Sequence, residues 1–109
     1  MQILIQVFLK SHQKSLRDVI VNDKKLEVFN LKVSAQKKTG RPHGWAKLHS
    51  NTKGIHGALN IQWEPAMRML TCRVVTKGDG KPDFIIADFI EYLLTRHQKK
   101  IESISILPR

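Results

Sequence analysis

Leu59, Ile61 and Trp63 alternate with Asn60 and Gln62. After Glu64-Pro65-Ala66 the chain returns through residues 67–77, where Leu70, Cys72 and Val74 alternate with Thr71, Arg73 and Val75. Period-two alternation puts apolar side chains on one face of a sheet and polar ones on the other, and Pro65 sets one backbone angle of the turn between the arms. No other stretch restricts the fold as strongly, because a hairpin with one wet face must bury its other face against something. The same alternation sends Arg73 to the solvent side and Cys72 to the core.

The covering element follows in sequence. Ile86, Phe89, Ile90, Leu93, His97 and Ile101 recur at helical spacing, with Asp88 near the start and Arg96, Lys99 and Lys100 near the end, as a helix dipole favours. The break at residues 78–82, GDGKP, precedes it, and Asp83 is expected to cap it. Residues 103–107 read as a short terminal strand before Pro108. Upstream, Ile3, Ile5, Val7 and Leu9 share one face and Leu4 and Phe8 the other, the pattern of a central strand buried on most of both faces. The polar stretch 11–18 is a connection or one helical turn.

Residues 19–21 and 26–33 read as arms of a hairpin around Asn22, Asp23 and Lys24. In the second arm Phe29, Leu31, Val33 and Ala35 face Asn30, Lys32, Ser34 and Gln36. Gly40, Pro42 and Gly44 make residues 37–44 a loop, residues 45–49 a short strand, and residues 51–54 a turn. The expectation is one α+β domain over residues 1–109: a curved antiparallel meander of about six strands packed on one C-terminal amphipathic helix, with a short terminal strand. One sheet face covers the helix and the other is free to bind.

Charge narrows the partner. Lys plus Arg number 19 against 9 Asp plus Glu, for a net charge of +10, which favours nucleic acid, an anionic membrane surface or an acidic protein. Residues 28–63 hold no acid while carrying Lys32, Lys37, Lys38, Arg41, Lys47 and Lys53, with His43, His49 and His56. Their basic density is ordinary, 6 of the 19 basic residues in 36 of 109 positions, so the missing acids are the signal. A plain solvated surface is the competing reading.

Within that window Arg41-Pro42-His43-Gly44-Trp45 combines a guanidinium with an indole, able to pair a phosphate and stack a base. The alternative is that Trp45 and Trp63 are both core anchors. Gly78-Asp79-Gly80-Lys81 ahead of a helix lacks the further glycines and the Ser or Thr of a Walker loop and reads as a turn. The three histidines lie on a loop, a strand end and a turn without a carboxylate between them, so neither metal nor cofactor is expected. His97, on the apolar helix stripe, reads as structural, and Cys72 as a small buried hydrophobe.

A single cysteine, no zinc-finger spacing, no signal-peptide pattern and no long apolar run point to an intracellular, cytoplasmic or otherwise reducing location without a membrane span. The coarse order of a curved meander followed by a helix, over the middle and end of the chain, resembles the Pur-alpha, Whirly and transcriptional-coactivator families, which bind single-stranded nucleic acid. Such a likeness concerns architecture alone. Three functions stay open. The first is a non-catalytic protein holding single-stranded DNA or RNA through Lys32, Lys37, Lys38, Arg41, His43, Trp45, Lys47, Lys53 and Arg73. The second is a small metal-independent ribonuclease using His43 or His49 near Arg41. The third is an assembly protein that docks an acidic partner or self-associates through the apolar terminal strand.

Overall fold

The computed structural model describes residues 1–8, 14–77 and 80–108. Residues 9–13, and with them Leu9 of the expected first strand, lie outside the described residues, as do Gly78 and Asp79 of the GDGKP break. The chain forms an α+β fold: six strands, β1 (Gln2–Val7), β2 (Leu31–Ala35), β3 (Trp45–Ser50), β4 (Gly57–Glu64), β5 (Met69–Thr76) and β6 (Ile101–Leu107), with helices α1 (Leu16–Val21) and α2 (Pro82–Arg96). All strand pairs are antiparallel, in the order β2-β3-β4-β5-β1-β6. The sheet is open, so β2 and β6 are its edges.

Register makes one face the core. Ile3 opposes Cys72, Ile5 opposes Leu70, Leu59 opposes Val74 and Leu48 opposes Leu59, and all of these are buried. Ile85, Ile86, Phe89, Tyr92 and Leu93 of α2 and Leu16 and Ile20 of α1 complete that cluster. Each large apolar side chain so enclosed contributes about 1.5–3 kcal/mol relative to leaving it in water. α2 lies over β4 and β5, and α1 over β3 and β4, so both helices occupy the same side of the sheet. β1 is central as expected, but only its odd-numbered face is buried, since Phe8 is exposed and Leu4 half-buried.

Two local expectations are corrected. Residues 19–21 are not a hairpin arm but the end of α1, and residues 26–29, expected as strand, belong to a 3₁₀ segment (Lys24–Phe29). The Ser15 side chain accepts from the Asp18 backbone N–H and so caps α1, while Leu16 and Ile20, four apart, share its buried face. Asn30, at φ 65°, ends the 3₁₀ segment in the left-handed region and lets β2 begin only at Leu31. At α2, Lys81 rather than Asp83 occupies the cap position, with φ 49° and no side-chain hydrogen bond, because Pro82 starts the helix and Asp83 already lies in its first turn.

α2 ends earlier than the apolar spacing implies, at Arg96, and Ile101 belongs to β6. A buried polar cluster secures this end. Tyr92 Oη donates to Asp23 Oδ2 (2.9 Å), Arg96 donates to both Asp23 oxygens, and His97 Nε2 lies 2.8 Å from Tyr92 Oη and 3.2 Å from Asp23 Oδ2. Burial holds the His97 pKa below its ordinary value despite the nearby carboxylate. The cluster is structural: it ties the 3₁₀ segment leading into β2 to the C-terminal end of α2. Burial likewise pushes the Cys72 thiol pKa up, in keeping with an inert core residue.

Candidate nucleic-acid interface

Among the described residues both helices sit on one side and no helix lies over the other sheet face; register sorts what this uncovered face carries. Lys32 opposes His49, His49 opposes Ala58 and Ala58 opposes Val75. The next row across the sheet is Lys47, Asn60, Arg73, Gln2 and Leu107. A third is Trp45, Gln62, Thr71, Leu4 and Ser105. Residues directly opposite in an antiparallel sheet point the same way, so Lys32, Lys47 and Arg73 share one face, with Lys47 and Arg73 two strand spacings, about 10 Å, apart. Glu64 is the one carboxylate in the register-paired rows of this face, at the end of β4, where it accepts from Gln62 (2.6 Å).

The loop of residues 36–44 brings Arg41 to this face. Arg17 of α1 holds its two ends: Nε and Nη2 donate to Trp45 O (3.2 and 3.0 Å), Nη2 also donates to Gln36 O (2.7 Å), and Nη1 pairs with Asp18 (2.8 Å). Gly44, at φ +89°, lies against Trp63, where a Cβ would stand 3.2 Å from the Trp63 carbonyl oxygen. The Trp63 N–H donates to the Gly44 carbonyl (3.0 Å). Arg41 then lies over the Trp45 ring, 5.4 Å from its centroid.

Trp45 is 3% exposed, and its Nε1 donates to Asn60 Oδ1 (3.3 Å). Its indole therefore presents no free face to a base, and burial matches the anchor reading, with the difference that this anchor lies on the uncovered side of the sheet rather than in the main core. Trp63 is half-buried at the margin of the core.

Two shallow grooves run along the uncovered face. One, of about 420 Å³, is lined by Arg41, Trp45, Asn60, Gln62, Arg73 and neighbours. The other, of about 360 Å³, is lined by Lys47, His49, His56, Ala58, Lys77 and neighbours. Val75, nearly half exposed, belongs to both and joins them. Among the described residues no carboxylate lines either groove. Asp23 is in the buried cluster, Asp83, Asp88 and Glu91 ride on α2, and Glu64 ends β4 on the uncovered face outside both grooves. Basic groups also occur on the helix side, Arg17 on α1 and Arg96 on α2; what distinguishes the two grooves is a basic lining without a described acid.

The sequence-expected residues are only partly gathered. Lys32, Arg41, Lys47 and Arg73 belong to the uncovered face. Lys37, Lys38 and His43 instead line a cavity of about 790 Å³ between the loop and the start of α1, which Arg41 also borders and to which Asp18 contributes. Lys53 lies on the β3–β4 turn, at the opposite end of β3 from the loop, about 20 Å away along the strand. His43 and His49 are not neighbours, whereas His49 and His56 share a groove. Sequence reasoning missed Lys77 and His56 on this face; their place follows only from the β4–β5 register, in which Gly57 opposes Thr76. It also missed Arg17.

Comparison with protein-family models, with curated proteins and with solved structures returns no match. The architectural likeness to single-stranded nucleic-acid binders therefore carries no weight beyond the order of elements. Among the described residues, no helix is long and apolar enough to cross a membrane.

Proposed function

We propose that this chain binds single-stranded nucleic acid along the uncovered face of its sheet. The observation that carries the reading is the lining of two grooves that share Val75: Arg41, Lys47, Arg73 and Lys77 border them, and no described residue in either is acidic. Cations there neutralise phosphates and release counterions. Val75 and Ala58 offer an apolar floor, and the Asn60 and Gln62 amides offer donors and acceptors to base edges. An extended strand lies on such a flat surface more readily than a duplex, whose bases are already stacked.

Titration of a fluorescent single-stranded oligonucleotide over several salt concentrations tests this. Four phosphate contacts, by Arg41, Lys47, Arg73 and Lys77, correspond to a slope of log K against log salt of about −2.8, or roughly a 50-fold loss of affinity between 50 and 200 mM salt. An absence of binding at low salt refutes the proposal.

A metal-independent ribonuclease is the second reading, favoured by one observation: His49 and His56 line the same groove with Lys47 and Lys77. Two imidazoles serve as base and acid for attack of a 2′-hydroxyl on its own phosphate, with lysines on the phosphoryl oxygens. RNA left intact by the protein in the presence of chelator excludes it; cleavage that disappears in His49→Ala supports it.

A further inference from the structure

We infer that β6 is a docking edge for a second copy of this chain, which joins it strand to strand about a two-fold axis at Ser105. The inference is independent of the nucleic-acid reading and begins from the unequal treatment of the two sheet edges. An open edge strand is a template for pairing, and proteins block it with charges, bulges, short strands or a covering element. The β2 edge has all four: it is five residues long, presents Lys32, shifts register between Val33 and Ala35, and has the Lys24–Phe29 segment packed beside it.

β6 begins with a register shift and a charge, at Glu102, and Pro108 follows it, but among the described residues positions 103–107 between them have none of these devices. They pair with β1 in unbroken register, from Gln6 opposite Ser103 to Gln2 opposite Leu107. The segment Ser-Ile-Ser-Ile-Leu contains no charge and no proline. Ile106 and Leu107 are 48% and 39% exposed.

A second copy fits this edge because the segment is self-complementary. With Ser105 on the axis, antiparallel pairing sets Ile104 opposite Ile106 of the second copy on the helix side of the sheet, and Ser103 opposite Leu107 of the second copy on the uncovered side. Opposite residues in such a pair share a face, so two exposed isoleucines meet two half-buried ones and extend the existing core, to which Ile104 already belongs. The other register with full overlap, centred on Ile104, sets Glu102 against Ile106 and is disfavoured. One strand pair buries less than the 1,200–2,000 Å² typical of stable complexes, so association is expected on the order of micromolar rather than obligate. Each copy carries +10, so salt strengthens the dimer, the reverse of its effect on nucleic-acid binding.

Sedimentation velocity of the full chain, from micromolar to millimolar concentration at moderate salt, is expected to show a monomer–dimer equilibrium. Ile106→Lys and Leu107→Lys, made separately so that a folding defect in one leaves the other to report, and each checked by circular dichroism, are expected to return it to monomer. Cys72 is buried, so a cysteine placed at position 105 reports alone: Ser105→Cys is expected to form a disulfide-linked dimer under mild oxidation, while Ser34→Cys on the β2 edge is not. A monomer at every concentration overturns the inference, as does a dimer that survives both lysine variants, or crosslinking through Ser34→Cys as readily as through Ser105→Cys.

Discussion

Replacing Asp23 with asparagine isolates the contribution of the buried polar cluster. The Asp23 carboxylate, 7% exposed, accepts from Tyr92 Oη at 2.9 Å, from Arg96 Nε and Nη2 at 3.1 and 3.0 Å, and from the Lys25 backbone N–H at 3.0 Å. Burial by itself raises its pKa. The hydrogen bonds from Arg96, Lys25 and Tyr92 and the Arg96 charge outweigh it, and the net result is a fall from 3.8 to about 2. At 1.36 kcal/mol per pH unit, ionised Asp23 contributes about 2 kcal/mol to stability. Its folded-state pKa is depressed, so on acidification the unfolded chain takes up the proton first. The contribution is complete above pH 4 or so and is lost as pH falls from there to about 2. The amide of the Asp23→Asn variant does not titrate. Urea unfolding of both proteins at steps between pH 7 and pH 2 is therefore expected to show a stability gap that narrows by about 2 kcal/mol as pH falls from about 4 to about 2, apart from any change that loss of the carboxylate beside His97 brings at higher pH. A gap of constant size across the whole range refutes the assignment of that energy to the carboxylate.

Arg73→Glu or Lys47→Glu is expected to weaken single-stranded nucleic-acid binding and to reduce the salt slope by about 0.7 for each phosphate contact removed, while Lys99→Glu, on the 3₁₀ turn after α2, changes affinity far less; anisotropy titrations at three salt concentrations distinguish them. Gly57→Ala places a methyl 2.5 Å from Ile85 Cδ1 and 2.7 Å from Thr76 Cγ2, so chemical denaturation is expected to register a loss of about 1–3 kcal/mol as α2 is pushed from the sheet. Arg17→Ala removes the donors to Gln36 O and Trp45 O. The expected result is faster hydrogen exchange and proteolysis in the loop of residues 36–44, with weaker oligonucleotide binding, although Arg17 lines neither sheet groove.

The hairpin of residues 59–77 and the long helix are legible because each repeats its period over many residues, with Leu59, Ile61, Leu70, Cys72 and Val74 on one face and Ile86, Phe89 and Leu93 on one stripe. α1 is not, because it is a six-residue helix built on Val19, Ile20 and Val21, residues of high strand propensity. Its helical state depends on the Ser15 cap and on burial of Leu16 and Ile20 against β3 and β4, and tertiary burial overrides propensity over so short a stretch. The candidate site divides in the same way. Arg73, mid-strand in a clear alternation, can be assigned its face from the residues alone. Lys77 and His56 sit just beyond strand ends, where only pairing register determines direction. Lys37, Lys38 and His43 separate from Lys47 because a loop's course is set by distant groups, here the guanidinium of Arg17.

Trp45 shows how such a separation changes chemistry and not only position. A loop pairing Arg41 with Trp45 reads as two ligand contacts, one for phosphate and one for a base. In the folded chain the indole is spent on the protein itself, its Nε1 on Asn60 and its ring beneath Arg41. The guanidinium above it remains exposed. A guanidinium resting on an aromatic face keeps its in-plane donors free, and a long side chain already confined has less rotamer entropy, up to about 2 kcal/mol, left to lose on meeting a phosphate. Arg41 can also offer its own plane to a base, so stacking capacity moves from the indole to the guanidinium. On the uncovered face the aromatic residue thus acts by orienting a cation, and Asn60, which accepts from its Nε1, stands between Lys47 and Arg73 in register.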